Sequence, residues 1–142
     1  MMDFTLRETD WAHDAERLST IRRAVFIDEQ GVPETLEWDE HDAVALHLLA
    51  TTADGAPIGC ARLLTDGHIG RMAVLPAWRR HGVGRALLAA AIQAAQAHGH
   101  TTLRLSAQIH AAGFYADAGF VAVGEAYEEA GIPHVAMQFN LR

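Results

Sequence analysis

Apolar and polar positions alternate from Asp3 to Arg7, where Phe4 and Leu6 stand between polar neighbours, and this predicts a first strand. From Asp10 or Trp11 the spacing changes to three and four. Trp11, Ala15, Leu18, Ile21 and Val25 then share one helical stripe, which Gly31 and Pro33 end. Val44 to Thr51 and Ile58 to Thr65 are apolar runs joined across Asp54-Gly55, a hairpin signal, and Asp66-Gly67 leads into a third run, Ile69 to Leu75. Three consecutive antiparallel strands are expected. From Gly82 to about Gly99 a helix follows, with Val83, Leu87, Ala91 and Ala95 in one apolar row widened by Leu88 and Ile92, and Gly99 as its C-terminal stop. Thr101 to Ser106 is a short strand, expected to pair in parallel with 69–75 through a right-handed crossover. Ala111 to Ala118 is a short helix stopped by Gly119. Phe120 to Val123 and Val135 to Leu141 are strands joined by a loop from Gly124 to His134. The order β-α-α-β-β-β-α-β-α-β-β describes an α/β chain with a mixed, mostly antiparallel sheet and one parallel pair. With no repeat or linker, residues 1–142 are expected to form one domain.

Charge narrows the choice of partners. Eighteen acidic residues face eleven arginines and no lysine, a formal charge of -7, which argues against a nucleic-acid binder with a basic face. No apolar run approaches the ~20 residues of a membrane span, and MMDFTLRETD lacks the regions of a secretion signal. The lone Cys60 cannot make an internal disulfide and is expected to be a small buried hydrophobe, so a cytoplasmic location is expected. Nine histidines show no metal-ligand spacing, and no metal is expected. Seven carboxylates crowd Asp28 to Asp42. Two readings stay open for them: a solvated acidic loop, or a wall that steers a cationic amine toward a site.

Against this acidic background, Arg79, Arg80 and Arg85 cluster where the helix after residue 82 begins. Cations there oppose the positive end of the helix dipole, an arrangement that makes sense if an anion binds. Gly82 and Gly84 leave the backbone N–H groups of residues 80 to 85 open to phosphate oxygens, and the arginine forks add charge-assisted hydrogen bonds. A P-loop is excluded because Arg85 and Ala86, not Lys and Ser or Thr, follow Gly84. A dinucleotide fingerprint is excluded because Leu87 holds its third glycine position and an arginine stands at 104.

What remains, Arg79-x-x-Gly82-x-Gly84 between a strand and a long helix, resembles the pyrophosphate loop of the GNAT acetyltransferases, which bind acetyl-coenzyme A. A second stretch, QIHAAGFYADAGFVAVG, resembles the other recurrent signature of that family through Ala111, Tyr115, Gly119 and Phe120, with Gln108 in place of the usual asparagine. FIDEQGVP near residue 30 and YEEAGIPH near 130 resemble the ElaA-type branch. The resemblance spans nearly the entire chain.

It implies the GNAT acyl-coenzyme A N-acyltransferase fold and acetyl transfer by direct attack of an amine. The cofactor-binding set would be Met72, Ala73 and Val74 beside the pantetheine arm, Arg79, Arg80, His81, Gly82, Val83, Gly84 and Arg85 around the diphosphate, and Gln108. A backbone N–H near Val74 would serve the oxyanion. Tyr115 would protonate the leaving sulfur, since a phenol carries its proton at neutral pH; the alternative for Tyr115 is a core aromatic beside Phe114. Candidates for the base are Glu29, at the end of the first helix, and His134, before the last strand, with His41 and Glu129 also considered; a water chain would replace any of them. The expected partner is a small-molecule amine, with no nucleic acid and no membrane, and a homodimer is left open. Two other readings stand beside the small-molecule enzyme: a non-catalytic acyl-coenzyme A sensor, and a protein N-acetyltransferase.

Overall fold

The computed structural model describes residues 3–141. Strand β1 (Thr5–Thr9) leads into helix α1 (Trp11–Arg22), whose N-terminus is capped by the Asp10 carboxylate accepting the His13 N–H at 2.9 Å. The helix does not stop at Arg22. It continues as a π-helix, Arg23–Glu29, closed by the Gln30 N–H donating to the Val25 carbonyl at 3.1 Å. Two short turns follow, α2 (Glu34–Glu37) and a 3₁₀ turn, Glu40–Ala43. Next come β2 (Leu46–Thr51), β3 (Pro57–Leu63) and β4 (His68–Val74), the expected antiparallel meander. Helix α3 (Val83–Ala97) crosses to β5 (Thr102–Gln108), helix α4 (Ala112–Asp117) follows, and β6 (Val121–Glu129) and β7 (Ile132–Asn140) close the chain.

The seven strands form one sheet in the order β1-β2-β3-β4-β5-β7-β6. Each face buries a separate apolar cluster. On one, α3 presents Val83, Leu87, Leu88, Ala91 and Ala95 to Leu48, Ala61, Leu103 and Leu105. On the other, Leu18, Ile21 and Val25 of the first helix meet Leu49, Cys60 and Ala73. Alanine on α3 lets the helix lie close to the sheet, and Gly59 of β3 allows that approach. A Cβ there would stand 3.0 Å from both Leu87 Cδ1 and Val83 Cγ1. Burial pushes the Cys60 thiol up to about 12, and its Sγ donates to the Arg71 carbonyl at 3.3 Å, so it behaves as an unreactive core residue.

The parallel pair is the sheet's weakest seam. β4 and β5 are in register only at His68↔Arg104 and Ile69↔Leu105; beyond Gly70 they part. β4 is also irregular against β3 between Cys60 and Arg62, where Arg71 takes a φ of 46°. A bulge of this kind turns one strand away from its neighbour and exposes its backbone groups.

Two expectations change. The segment 124–134 is not a loop: β6 runs to Glu129 and β7 begins at Ile132, so the connection is Ala130-Gly131 alone. Both residues have positive φ, 54° and 78°, a two-residue hairpin turn whose alanine lacks the usual Asn or Asp signal. His134 therefore lies on a strand rather than in a loop. The acidic run Asp28–Asp42 is solvated only in part: Asp28, Glu29, Glu34 and Glu40 are exposed, while Glu37 and Asp42 are buried.

Candidate active site

Where β4 and β5 part, a cleft of about 840 Å³ opens through the middle of the sheet. One end is lined by Val74, Arg79, Gly84, Phe114 and Tyr115, and the other by Glu37, Arg62, Arg71, Ser106 and His134. The cleft thus joins the basic loop to the acidic segment, which lie far apart in sequence.

At the loop end, Gly82 sits at φ 86° immediately before α3, and no side chain caps the helix. Its first turn holds no acidic residue, so the uncapped N–H groups and the dipole remain available to an anion. Val83 is buried and anchors the turn, while Arg80, His81 and Arg85 stay exposed. Arg79 is differently placed. Its Nη1 and Nη2 donate to the two Glu29 carboxylate oxygens at 2.8 and 2.6 Å, and its Nε donates to the Val74 carbonyl at 2.9 Å. The hydrogen bond from Arg79 holds the Glu29 carboxyl below the usual range, which makes Glu29 a poor proton acceptor. Two residues assigned to separate halves of the site are thus bonded to each other.

Tyr115 projects from α4, edge-on to Phe114 and Phe120, and its hydroxyl lies 3.8 Å from the Met72 sulfur. Burial pushes the phenol up to about 12, so it keeps its proton at neutral pH.

Across the cleft, the β5–β7–β6 ladder sets polar groups on one face. Gln108 pairs with His134 and His134 with Tyr127, and residues paired this way share a face. On β6 three residues, Gly124 to Ala126, stand opposite the single Val135 of β7, two more than a regular ladder needs, between Val123, opposite Ala136, and Tyr127, opposite His134. The Tyr127 and His134 rings stack with centroids 6.2 Å apart. The Ser106 hydroxyl contacts the Tyr127 hydroxyl and donates to Glu129 at 3.3 Å. His134 is buried, and its Nδ1 lies 2.7 Å from the Ile132 carbonyl. A carbonyl can only accept, so Nδ1 carries the proton and Nε2 of the neutral ring keeps its lone pair. Gln108 donates to Gln30 at 2.9 Å, tying β5 to the end of the first helix. His41 lies in the 3₁₀ turn and is absent from the cleft wall.

Beneath this wall lies a cluster that the sequence did not reveal. Arg22, 1% exposed, donates from Nε to Glu37 at 2.7 Å and from Nη1 to Asp42 at 2.7 Å, and lies over the rings of Trp11 and Trp38 at 5.4 and 5.1 Å. Arg62 donates from Nη1 to Asp39 and Asp42 at 2.8 and 3.0 Å. Arg71 donates from Nη2 to the Glu37 carbonyl and to Asp39 at 3.0 and 3.2 Å. Three guanidinium groups thus meet three carboxylates. Three of the segment's seven carboxylates are paired from below, and Glu34 and Glu29 bond to Arg23 and Arg79, while Asp28 and Glu40 stay exposed with no arginine partner among the described residues. Burial pushes the Glu37 carboxyl up, against the pull of Arg22, and pushes Arg71 down. A signal existed in the sequence, since Arg22, Arg62 and Arg71 each stand on an otherwise apolar stretch, but nothing in it paired them with 37–42.

Residues 11–141 match the model of the acetyltransferase (GNAT) domain. Protein ElaA of Escherichia coli is 34% identical over 128 residues, 84% of this chain and 83% of that protein. The crystal structure of Escherichia coli ElaA superposes with a TM-score of 0.88 over 97% of this chain and all of that one, at 28% identity across the superposition. An acyl-CoA N-acyltransferase from Pseudomonas aeruginosa gives 0.85, at 35% identity over 98% of this chain and 99% of that one.

Proposed function

The chain belongs to the GNAT acetyltransferase family, and from that premise we propose that it moves an acetyl group from acetyl-coenzyme A to a primary amine of a small molecule. The residues present suit the donor. An uncapped helix N-terminus with exposed Arg80 and Arg85 fits a diphosphate, and the β4 backbone from Gly70 to Val74, released from β5, fits an amide-bearing arm laid along it as an added strand. When bound, acetyl-coenzyme A supplies the acyl group as a thioester and departs as a thiol.

The observation that carries the reading is a partly buried phenol beside the Met72 sulfur and a histidine whose Nδ1 is held by the Ile132 carbonyl, both on the walls of one cleft. As the amine nitrogen bonds to the acyl carbon, His134 Nε2 takes the amine proton. As the carbon–sulfur bond breaks, Tyr115 gives its proton to sulfur. A backbone N–H near Val74 serves the transient oxyanion. Glu29 is set aside as base because Arg79 occupies its carboxylate. A non-catalytic acyl-coenzyme A sensor would need neither group.

The test is acetyl-coenzyme A-dependent thiol release against a panel of amines. Tyr115→Phe is expected to lower kcat by about 10²- to 10⁴-fold while calorimetry shows acetyl-coenzyme A still bound. Release unaffected by any amine and by this substitution would overturn the enzyme reading; tight binding without turnover would favour the sensor.

A further inference from the structure

At the end of the cleft away from the basic loop, the two walls differ in what they leave unmatched. The β5–β7–β6 wall presents Ser106, Glu129 and His134. The facing wall, from the end of the first helix to β4, holds polar groups too, but each is occupied. Glu29 is held by Arg79, Gln30 by Gln108, and Arg71 donates to the Leu36 and Glu37 carbonyls. Behind it, Arg22, Arg62 and Arg71 balance Glu37, Asp39 and Asp42. What remains on this wall is apolar. Phe26, Val32 and Met72 are half-buried and Leu36 is 56% exposed, and all four line the cleft.

These side chains connect to the reacting groups. The Val32 N–H donates to the Phe26 carbonyl at 2.9 Å, and the Leu36 carbonyl accepts from Arg71 at 3.4 Å. Met72 follows Arg71 on β4, and its sulfur lies 3.8 Å from the Tyr115 hydroxyl. Apolar surface left wet inside a concave site is stabilised when a hydrocarbon covers it.

Resting on the acetyl-transfer reading and deepening it, we propose that the acceptor is a primary amine with an apolar alkyl or arylalkyl body, and that Leu36 sets this specificity. The amine nitrogen faces Ser106, Glu129 and His134, and the body lies along Leu36, Val32 and Phe26. On the apolar wall an anion would meet no free cation and a second ammonium no free carboxylate, so either would lose its water without a partner. The wall serves the acceptor rather than a long acyl chain because Leu36 lies beside Glu37 and Arg71, at the His134 end of the cleft, whereas Tyr115 marks the sulfur at the other end.

The experiment is the thiol-release assay on full-length protein with ethylamine, propylamine, butylamine and hexylamine, which share one basicity and differ only in methylenes. Hexanolamine and hexamethylenediamine match hexylamine in length but end in a polar group. kcat/KM is expected to rise about 2- to 4-fold per methylene, through KM, and hexylamine to exceed both polar analogues. Leu36→Ala is expected to shrink the hexylamine-to-ethylamine ratio by about 3- to 10-fold, and Leu36→Met to restore it. Leu36 is mostly exposed, so both variants are expected to fold, which calorimetric binding of acetyl-coenzyme A checks; if one does not, the wild-type series decides alone. A flat wild-type series, a diamine that outruns hexylamine, or a series indifferent to Leu36→Ala overturns the inference and leaves acetyl transfer standing. A flat amine series beside turnover that rises from acetyl- to hexanoyl-coenzyme A gives the wall to the acyl chain and overturns it as well. Absence of turnover with every amine overturns both readings.

Discussion

The two ends of the cleft use arginine in opposite ways. At the loop end, Arg79, Arg80 and Arg85 fall within seven residues, lie on the surface and flank one helix N-terminus. At the other end, Arg22, Arg62 and Arg71 come from three elements, are largely enclosed, and reach partners 15 to 34 residues away. Solvated arginines beside a helix end add little to stability, and Arg80 and Arg85, unlike Arg79 with its bonds to Glu29 and Val74, make no hydrogen bond among the described residues. Enclosed ones are locked to carboxylates, because an unpaired charge in that setting is prohibitive. One end therefore keeps two exposed arginines unpaired among the described residues, and the other has spent nearly all of its charge on the fold.

The sharpest way to break this contrast is to remove an arginine from each end. Arg22→Met leaves the buried Glu37 with Arg71 alone and Asp42 with Arg62 alone, and is expected to cost about 3–5 kcal/mol in urea unfolding. Arg80→Ala is expected to stay within about 0.5 kcal/mol of the parent protein. Near-equal stabilities would dissolve the distinction.

A second comparison uses affinity rather than stability. The pair Arg80→Ala and Arg85→Ala together is expected to weaken acetyl-coenzyme A binding by roughly 10- to 100-fold by calorimetry, with little change in the unfolding midpoint.

Acid titration extends the contrast to the start of α1. Hydrogen bonds from Arg7, at 2.7 and 3.1 Å, outweigh burial and hold the Asp14 carboxyl down to about 2. Because the folded value lies below the unfolded one, Asp14 stabilises the fold above about pH 4, and that contribution, about 2 kcal/mol, is lost as pH falls toward 2. Thermal unfolding of Asp14→Asn between pH 7 and 2 should show a lower starting stability and a shallower acid decline than the parent.

The smallest expected effect concerns the ion pair between Arg79 and Glu29. Glu29→Gln removes a half-exposed partner of Arg79 and should change stability by less than about 1 kcal/mol. It should also tighten acetyl-coenzyme A binding if Arg79 is then free to turn toward the diphosphate. Weaker binding would identify the pair as a brace for the loop.

How far the chain could be read follows the same division. The meander, the long crossover helix and the basic turn rest on periodicity, Asp-Gly turns and glycines within a few residues of each other, and all three are present as read. The β6–β7 hairpin was missed because Ala130-Gly131 turns without the usual polar residue, and the π-helical end of the first helix left no local mark. The acidic segment was read only as a solvated loop or a steering wall. Its composition is that of a surface, and only the packing of Arg22, Arg62 and Arg71 beneath it buries Glu37 and Asp42.

By itself, the sequence determined the order of elements and the basic, glycine-bearing turn before α3, because both depend on dihedral preferences and on neighbours within one helical turn or one hairpin. Tertiary structure alone decided which charges are free. It bonded Arg79 to Glu29, 50 residues away, paired three carboxylates of the acidic run with three distant arginines, and left Arg62 Nε without a partner. Whether a charge binds a ligand or holds the fold depends on its burial and its partners, and those are properties of the packed chain.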